Sequence, residues 1–160
     1  MVEHITIIKG SKTQQYQSLL PQNEAIVSTE EDLIANFANI CAALKEGLGV
    51  FWVGFYRAET PDMLVLGPFQ GPVACTRIPK GRGVCGTVLE QRKTLIVPNV
   101  DEFPGHIACS SASKSEIVLP IFYKGNVAWV LDIDSDKLSS FDDTDRHWLE
   151  KLTAIIGLML

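Results

Sequence analysis

Three cysteines lie in one stretch of the chain, and their spacing points to thiol chemistry. Cys75, Cys85 and Cys109 are separated by ten and then twenty-four residues, with no Cys-x-x-Cys pair among them. A structural zinc site normally uses closely spaced ligand pairs, and small secreted scaffolds carry cysteines at higher density. The spacing therefore favours a nucleophilic thiol with one or two further thiols that resolve it. Glycine is frequent around these cysteines, so we expect loops to present them.

The residues alone leave open which cysteine is the nucleophile. A free thiol with a pKa of about 8.5 is mostly protonated at neutral pH, so a reactive cysteine needs a neighbour that favours the thiolate. Cys109 has His106 and Lys114 nearby in sequence. Cys85 is predicted to lie in the first turn of a helix, where the helix dipole favours an anion. Cys41, on the apolar face of another predicted helix, is interpreted as a small core residue.

A pair of carboxylates follows the cysteines. Asp132 and Asp134 are two residues apart on a predicted strand, so both side chains point to one face, about 7 Å apart. Such a pair resists joint ionisation and could bind an ammonium group or donate a proton, although this face could also simply meet solvent. Glu116 joins the pair only if the hairpin contains a three-residue turn or a bulge. A plain two-residue turn at Gly125-Asn126 would place Ile117 opposite Asp134 instead.

Helices flank about six predicted strands, and several of the strands are joined by hairpins. This order predicts an α+β fold with a mainly antiparallel sheet, in a single domain over residues 1–160. The glycines of Gly81-x-Gly83-x-x-Gly86 resemble a dinucleotide fingerprint, but the acidic residue expected on a second parallel strand is absent. The predicted helices cover about 11–20 (ending near Pro21), 28–48, 83–92 and 142–160, and the predicted strands cover about 50–58, 63–69, 74–78, 94–98, 116–123 and 127–134.

Charge and hydropathy exclude several classes of function. The net charge of the 160 residues is −5, which disfavours a nucleic-acid or anionic-membrane partner because both require clustered Lys and Arg. The first residues do not resemble a signal peptide, and the apolar stretch 155–160 is too short to span a bilayer. We therefore expect a cytoplasmic protein, in which a disulfide is more often catalytic or regulatory than structural.

Five short strings, in order along the chain, resemble those of the free methionine-(R)-sulfoxide reductases, which are stand-alone GAF-domain enzymes. They are LGPFQG at 66–71, GVCG at 83–86, PGHIAC at 104–109, KSEIV at 114–118 and LDID at 131–134. The similarity extends from about residue 52 to the final helix. The resemblance implies a GAF-like domain with a six-stranded antiparallel sheet, commonly a homodimer. It also implies a cytoplasmic enzyme that needs no metal or organic cofactor and is reduced by thioredoxin.

The resemblance also assigns roles to the cysteines. Cys109 resembles the attacking cysteine, while Cys75 and Cys85 match the two other redox cysteines, with Cys75 favoured as the first resolver. The implied reaction is thiolate attack on the sulfoxide sulfur, which yields methionine and a cysteine sulfenic acid. A second thiol condenses the sulfenic acid to a disulfide, and thioredoxin reduces that disulfide. The chain has Ser110-Ser111 where the family often has an acidic residue, which could alter the pKa of the thiol.

The resemblance further implies a pocket for the free amino acid. Asp132 and Asp134 would hold its α-ammonium group, which a methionine inside a protein lacks. Glu116 would bind substrate and supply a proton to the departing oxygen. Trp52 and Tyr56 match aromatic positions near the pocket. Two other functions stay open, namely a GAF domain that binds a small ligand without catalysis and a redox sensor whose disulfide controls a partner protein.

Overall fold

The computed structural model describes residues 4–107 and 109–160. Within this part of the chain, four α-helices surround a sheet of six strands, and a short 3-10 turn covers Val100–Glu102. The elements are α1 (Lys12–Val27), α2 (Leu33–Leu48), β1 (Trp52–Thr60), β2 (Met63–Gln70), β3 (Arg77–Pro79), α3 (Gly83–Gln91), β4 (Leu95–Val97), β5 (Ser115–Tyr123), β6 (Asn126–Ser135) and α4 (Asp143–Gly157). No helix in these two ranges is both long enough and apolar enough to cross a membrane.

The sheet is antiparallel throughout, with the strand order β3-β2-β1-β6-β5-β4. Two sequential hairpins, β1–β2 and β5–β6, are joined side by side through the β1–β6 pair. The predicted α+β class and six-stranded antiparallel sheet are therefore confirmed. The β1–β6 pairing places Trp52 opposite Asp134 at the centre of the sheet, although 82 positions separate the two residues in sequence.

Alternation along the strands divides the core into two clusters, one on each face of the sheet. Side chains such as Phe55, Leu119 and Leu131 pack on one face against α1, α2 and α4. Side chains such as Tyr56 and Val118 pack on the other face against α3. Successive residues of a strand point to opposite faces, so the even-numbered positions of β1, β5 and β6 in the middle of the sheet face α3. All three predicted carboxylates belong to this α3 face.

A bulge in the β5–β6 hairpin sets the register that matters for the site. Tyr123 pairs with Asn126, so the turn consists of Lys124-Gly125, but Ile121 pairs with Trp129. One extra residue of β6 therefore lies between these pairs, and the offset places Glu116 opposite Asp134. The condition under which the three carboxylates would converge is met by this bulge. The two turn residues have positive φ angles of 50° and 78°, typical of a hairpin turn whose twist matches the strands.

The first two helix boundaries differ from the predicted ones. The sequence predicts that α1 ends near Pro21, but the helix continues to Val27. Proline removes one helical hydrogen bond, but buried residues on both sides of Pro21 anchor the helix, and Val27 packs against the core. Ser28 caps the end of α1 instead of starting α2. The N-cap of α2 is Asp32, whose side chain accepts a hydrogen bond from the backbone N–H of Ala35.

Candidate active site

A pocket opens on the α3 face of the sheet, between the central strands, α3 and the loops around residues 72–74 and 106–113. Its cavity volume is about 60 Å³, so it is a narrow, closely lined pocket with room for a few water molecules. Seven of the eight predicted site residues line it: Trp52, Tyr56, Cys85, Cys109, Glu116, Asp132 and Asp134. The eighth, Cys75, directly follows the lining residue Ala74 and is joined by a disulfide to Cys109 in the pocket wall.

Cys75 and Cys109 form a disulfide, with their Cα atoms 5.4 Å apart and 34 positions between them in sequence. Cys75 lies in the loop between β2 and β3, and its carbonyl oxygen accepts a hydrogen bond of 2.9 Å from the Tyr56 hydroxyl. Cys109 follows the turn that contains His106, which also lines the pocket. Ala108, within the string that carries the family resemblance, lies outside the described residues. The fold thus brings together the two cysteines predicted as nucleophile and first resolver.

Glu116, Asp132 and Asp134 form a carboxylate cluster on the pocket wall. Glu116 lies on β5 opposite Asp134 of β6, and Asp132 is two residues before Asp134 on the same face. The Ser113 hydroxyl donates a hydrogen bond of 2.6 Å to Asp134 Oδ1. Asp132 Oδ1 is buried and accepts no hydrogen bond from any group in the described parts of the chain. Glu116 and Asp132 are each only 6% exposed.

The cluster holds protons more tightly than ordinary carboxyl groups do. Burial raises the pKa of Asp132 to about 6. Burial raises the pKa of Glu116 well above its usual value, and the charges of Asp132 and Asp134 raise it further. Burial also raises the pKa of Asp134 well above its usual value, and the charge of Asp132 raises it further. The raised pKa values predicted from the sequence are confirmed, and the cluster can carry both a proton and a negative charge near neutral pH.

Cys85 does not have the low thiol pKa that its position in a helix suggested. It is the third residue of α3 and is 4% exposed. Burial raises the pKa of its thiol, and the charges of Asp132 and Glu116 raise it further. The helix dipole contributes at most about 1–2 kcal/mol, and the opposing effects outweigh it. The Cys85 thiol lies 3.9 Å from Glu116 Oε1, to which it donates a hydrogen bond.

The fourth cysteine lies far from this chemistry. Cys41 is fully buried in the core on the opposite face of the sheet. Its thiol donates a hydrogen bond to the Pro68 carbonyl oxygen. Burial raises the pKa of Cys41 to about 12. The interpretation of Cys41 as a core residue is confirmed, and it provides a natural control for the other thiols.

Aromatic rings form one wall of the pocket. Trp52 stacks on Phe69 with ring centroids 5.4 Å apart and on Tyr56 at 6.1 Å. The indole N–H of Trp52 donates a hydrogen bond of 3.0 Å to the Pro72 carbonyl oxygen. A Cβ atom at Gly54 would lie 2.3 Å from the Trp52 ring, and one at Gly71 would lie 2.5 Å from it. The two glycines therefore give the indole the space that it occupies.

Three residues that support the site were not predicted from the sequence. Gly54 and Gly71 act through their contact with Trp52, and only the antiparallel pairing brings them to the same ring. Ser113 lies in a polar loop in which several residues could have supplied a hydroxyl group. Its role depends on the turn of the chain that follows Cys109. No local pattern in the sequence distinguishes these residues from their neighbours.

Comparison with known proteins agrees with this geometry. A family model described as GAF domain matches residues 29–160. The chain is 60% identical to GAF domain-containing protein A of Dictyostelium discoideum, over 98% of this chain and 99% of that protein. It is 46% identical to free methionine-R-sulfoxide reductase of Escherichia coli (strain K12), covering 94% of this chain and 91% of the relative. This chain belongs to the free methionine-R-sulfoxide reductase family.

A solved structure supports the same assignment. The free methionine-R-sulfoxide reductase of Neisseria meningitidis, in complex with its substrate, superposes with a TM-score of 0.96 at 49% identity. The match covers 99% of this chain and 95% of that one. As a member of the free methionine-R-sulfoxide reductase family, the chain has a GAF fold and is an oxidoreductase. The predictions of the family, the fold and the enzyme class are confirmed.

Proposed function

We propose that this chain reduces free L-methionine-(R)-sulfoxide to methionine, with Cys109 as the nucleophile and Cys75 as the resolving thiol. The observation that carries the proposal is a cysteine pair close enough to form a disulfide beside a pocket with three converging carboxylates. Close relatives bear the name of this activity. A sensor domain that only binds a ligand has no need for the cysteine pair.

The carboxylate cluster provides specificity for the free amino acid. The buried Asp132 Oδ1 has no hydrogen-bond partner among the described residues, and the α-ammonium group of the substrate would bind it together with Asp134. A peptide-bound methionine sulfoxide lacks this ammonium group and would leave the buried carboxylates unpaired, at a cost of roughly 2–5 kcal/mol. Trp52 and Tyr56 would pack against the methyl and methylene groups of the side chain.

The chemical step requires both a thiolate and an acid. The Cys109 thiolate attacks the sulfoxide sulfur while Glu116, whose pKa is raised by burial and by the neighbouring aspartates, protonates the oxygen. The sulfoxide gains two electrons and becomes a thioether, and Cys109 becomes a sulfenic acid. The Cys75 thiol then attacks the Cys109 sulfur, so that a disulfide forms and the oxygen leaves as water.

An external dithiol must then restore the enzyme. By resemblance to the family, we propose thioredoxin as the reductant, which exchanges its thiols with the Cys75–Cys109 disulfide. This cycle requires a reducing compartment, and we expect the cytoplasm. We also expect a homodimer. Cys85, whose thiol is protonated beside Glu116, is assigned a secondary redox role and not that of first nucleophile.

The proposal is tested by turnover coupled to thioredoxin, thioredoxin reductase and the loss of NADPH absorbance. The substrates are free methionine-(R)-sulfoxide, the S epimer and a peptide that contains methionine sulfoxide. We expect consumption with the free R epimer alone. Cys109→Ser abolishes turnover, whereas Cys41→Ser, the matched control in the opposite core, retains it.

Two results would overturn parts of this proposal. Full activity of Cys109→Ser would exclude Cys109 as the nucleophile and move that role to Cys85. No turnover of any of the three substrates, with folded protein and with either thioredoxin or excess dithiothreitol as reductant, would exclude the reaction itself. A ligand-binding or redox-sensing domain would then be the better interpretation.

A further inference from the structure

Cys85, Glu116 and Asp132 place three potential metal ligands together in the pocket. One ligand atom from each residue lies within 4.8 Å of the other two. All three side chains are buried and line the pocket. We infer that this group, termed the thiol–carboxylate site, binds a divalent cation of the zinc type and that the bound cation excludes the substrate.

The distances suit such a cation after small side-chain adjustments. Cys85 Sγ and Glu116 Oε1 are 3.9 Å apart. In a tetrahedral zinc site, with Zn–S of about 2.3 Å and Zn–O of about 2.1 Å, sulfur and oxygen ligands are about 3.6 Å apart. The required change for this pair is a few tenths of an ångström. Three protein ligands would leave a fourth position for water on the pocket side.

A second observation points to a cationic ligand here. Asp132 Oδ1 is buried without a hydrogen-bond donor among the described residues, and its side chain is only 6% exposed. A buried carboxylate oxygen without a partner is costly unless a positive group approaches it. A cation held by Cys85, Glu116 and the Asp132 carboxylate would supply the positive charge that this buried carboxylate lacks.

The mixture of ligands selects the kind of cation. A thiolate is a soft ligand and favours zinc and related transition metals over magnesium and calcium. Calcium requires six to eight oxygen ligands, and the three side chains supply too few. Spacing in the sequence disfavours a zinc site made of cysteines alone. The fold instead combines one cysteine of α3 with carboxylates from β5 and β6.

Binding would act as inhibition and not as a cofactor requirement. The cation replaces the proton of the Cys85 thiol, which is released to solvent. This consequence rests on the proposed function, because Asp132 is also the residue proposed to hold the α-ammonium group of the substrate. One site cannot hold both positive groups, so cation and free methionine sulfoxide should compete.

The test uses the 160-residue chain, free of metal and with the Cys75–Cys109 disulfide intact, so that these two sulfurs cannot bind metal. Cobalt(II) is the probe, because its ligation by a thiolate produces charge-transfer absorption in the near ultraviolet. We expect one equivalent of cobalt to bind with this signal and zinc to displace it. Cys85→Ser should remove the signal and weaken binding by at least about 100-fold, as expected when a direct ligand is lost. Cys41→Ser should change neither.

Glu116→Gln provides a second variant that retains the thiol, in case Cys85→Ser does not fold. We expect it to weaken cobalt binding by at least about tenfold, with an unchanged circular dichroism spectrum. Absence of the thiolate signal in wild-type protein, or the same signal in Cys85→Ser, would overturn the metal site. Active enzyme without metal binding would refute this inference and leave the proposed function intact.

A competition experiment separates the proposed cation site from the proposed substrate site. This experiment uses Cys75→Ser/Cys109→Ser protein, which lacks the disulfide and has no thiol at those two positions. Adding free methionine-(R)-sulfoxide to its cobalt-loaded form should raise the apparent dissociation constant for cobalt as the substrate concentration increases. Metal binding that is indifferent to the substrate would refute the competition and, with it, the placement of the substrate ammonium group on Asp132. The S epimer and N-acetylated methionine sulfoxide serve as controls, and we expect weaker competition from the acetylated compound because it lacks the ammonium group.

Discussion

At the scale of single residues, burial of the carboxylate cluster lowers the stability of the folded protein near neutral pH. Burial raises the pKa values of Glu116, Asp132 and Asp134 in the folded protein above their unfolded values. Each group therefore contributes stability at a pH below its unfolded pKa, and this contribution is lost as the pH rises through the folded pKa. For Asp132 this window extends from the ordinary aspartate pKa of 3.8 to about 6. Near neutral pH the cluster is thus under electrostatic strain.

Neutralising Glu116 should stabilise the protein while it removes activity. Glu116→Gln keeps the shape of the side chain but cannot ionise, so we expect the free energy of unfolding at pH 8 to rise, because burial raises the pKa of Glu116 and disfavours its charged form. The gain should shrink towards pH 4, where wild-type Glu116 is protonated. Thermal unfolding at several pH values measures this effect, and turnover should fall at least about 100-fold because the proposed proton donor is lost.

An exposed glutamate provides the control for this substitution. Glu24→Gln changes the same charge on the surface of α1, and we expect its stability and turnover to follow the wild type within about 0.5 kcal/mol. A Glu116→Gln protein that is less stable than wild type at pH 8 would show that the charge of Glu116 is well compensated in the folded state. The strain argument would then be wrong.

Substrate affinity should depend on pH through Asp132. Its pKa of about 6 means that the side chain is largely ionised at pH 7 and protonated at pH 5. Binding of the α-ammonium group requires the ionised form, so the dissociation constant should rise up to about tenfold for each pH unit below 6. Calorimetric titration of Cys109→Ser with free methionine-(R)-sulfoxide measures this constant without turnover and without titration of the Cys109 thiol.

Asp132→Asn in the same Cys109→Ser background tests the assignment to one residue. We expect weaker binding at pH 7 and a smaller change in affinity between pH 7 and pH 5. A pH dependence equal to that of the parent protein would assign the titration to Asp134 or Glu116 and not to Asp132.

At the scale of elements, α3 and the turn before it position the buried thiol. Gly81 N–H donates to the carbonyl oxygen of Gly86, and Arg82 N–H donates to that of Pro79. A Cβ atom at Gly86 would lie 2.3 Å from the Pro79 carbonyl oxygen. The glycine pattern that resembles a dinucleotide fingerprint therefore serves close packing of α3 against the chain that precedes it. Cys85 directly precedes Gly86 in sequence, so this close contact fixes the position of the Cys85 backbone.

Gly86→Ala should disrupt this packing. The atom in conflict belongs to the backbone and cannot rotate away, so we expect a loss of about 1–3 kcal/mol, or roughly 3–10 °C in Tm. Differential scanning fluorimetry measures the change. Gln17→Ala is the control, because Gln17 is exposed on the surface of α1, and we expect its Tm to match the wild type. An unchanged Tm for Gly86→Ala would mean that the turn before α3 can move aside.

At the scale of the whole molecule, the sequence predicts those features that depend on local periodicity. The alternation of Trp129, Leu131 and Ile133 with Asp132 and Asp134 identified the two faces of β6, and the structure confirms them. The hairpin order likewise predicted the antiparallel sheet. The five matched strings identified the family, since similarity over most of the chain is much more specific than any single motif.

The remaining features depend on contacts between distant parts of the chain. The sequence shows that Glu116 reaches Asp134 only if the hairpin has a bulge or a three-residue turn. It does not show which of the two occurs, because either one produces the same register between β5 and β6. The end of α1 was misplaced because packing of Val27 overrides the local effect of Pro21. The thiol pKa of Cys85 was misjudged because the carboxylates beside it come from other strands.

The redox state of the Cys75–Cys109 pair should change the stability of the whole fold. The disulfide closes a loop of 34 residues, and loop-closure entropy of the unfolded chain predicts a stabilisation of about 4 kcal/mol. We therefore expect reductant to lower Tm by roughly 10 °C, with four free thiols on titration of the denatured protein. Cys75→Ser/Cys109→Ser should show a low Tm that does not respond to reductant.

If full reduction left the wild-type Tm unchanged, the loop ends would be held together by non-covalent contacts alone. If it lowered Tm as expected, each catalytic cycle would alternate between a more and a less constrained form of the molecule. The reduced form, which must admit substrate, would then be the less constrained one.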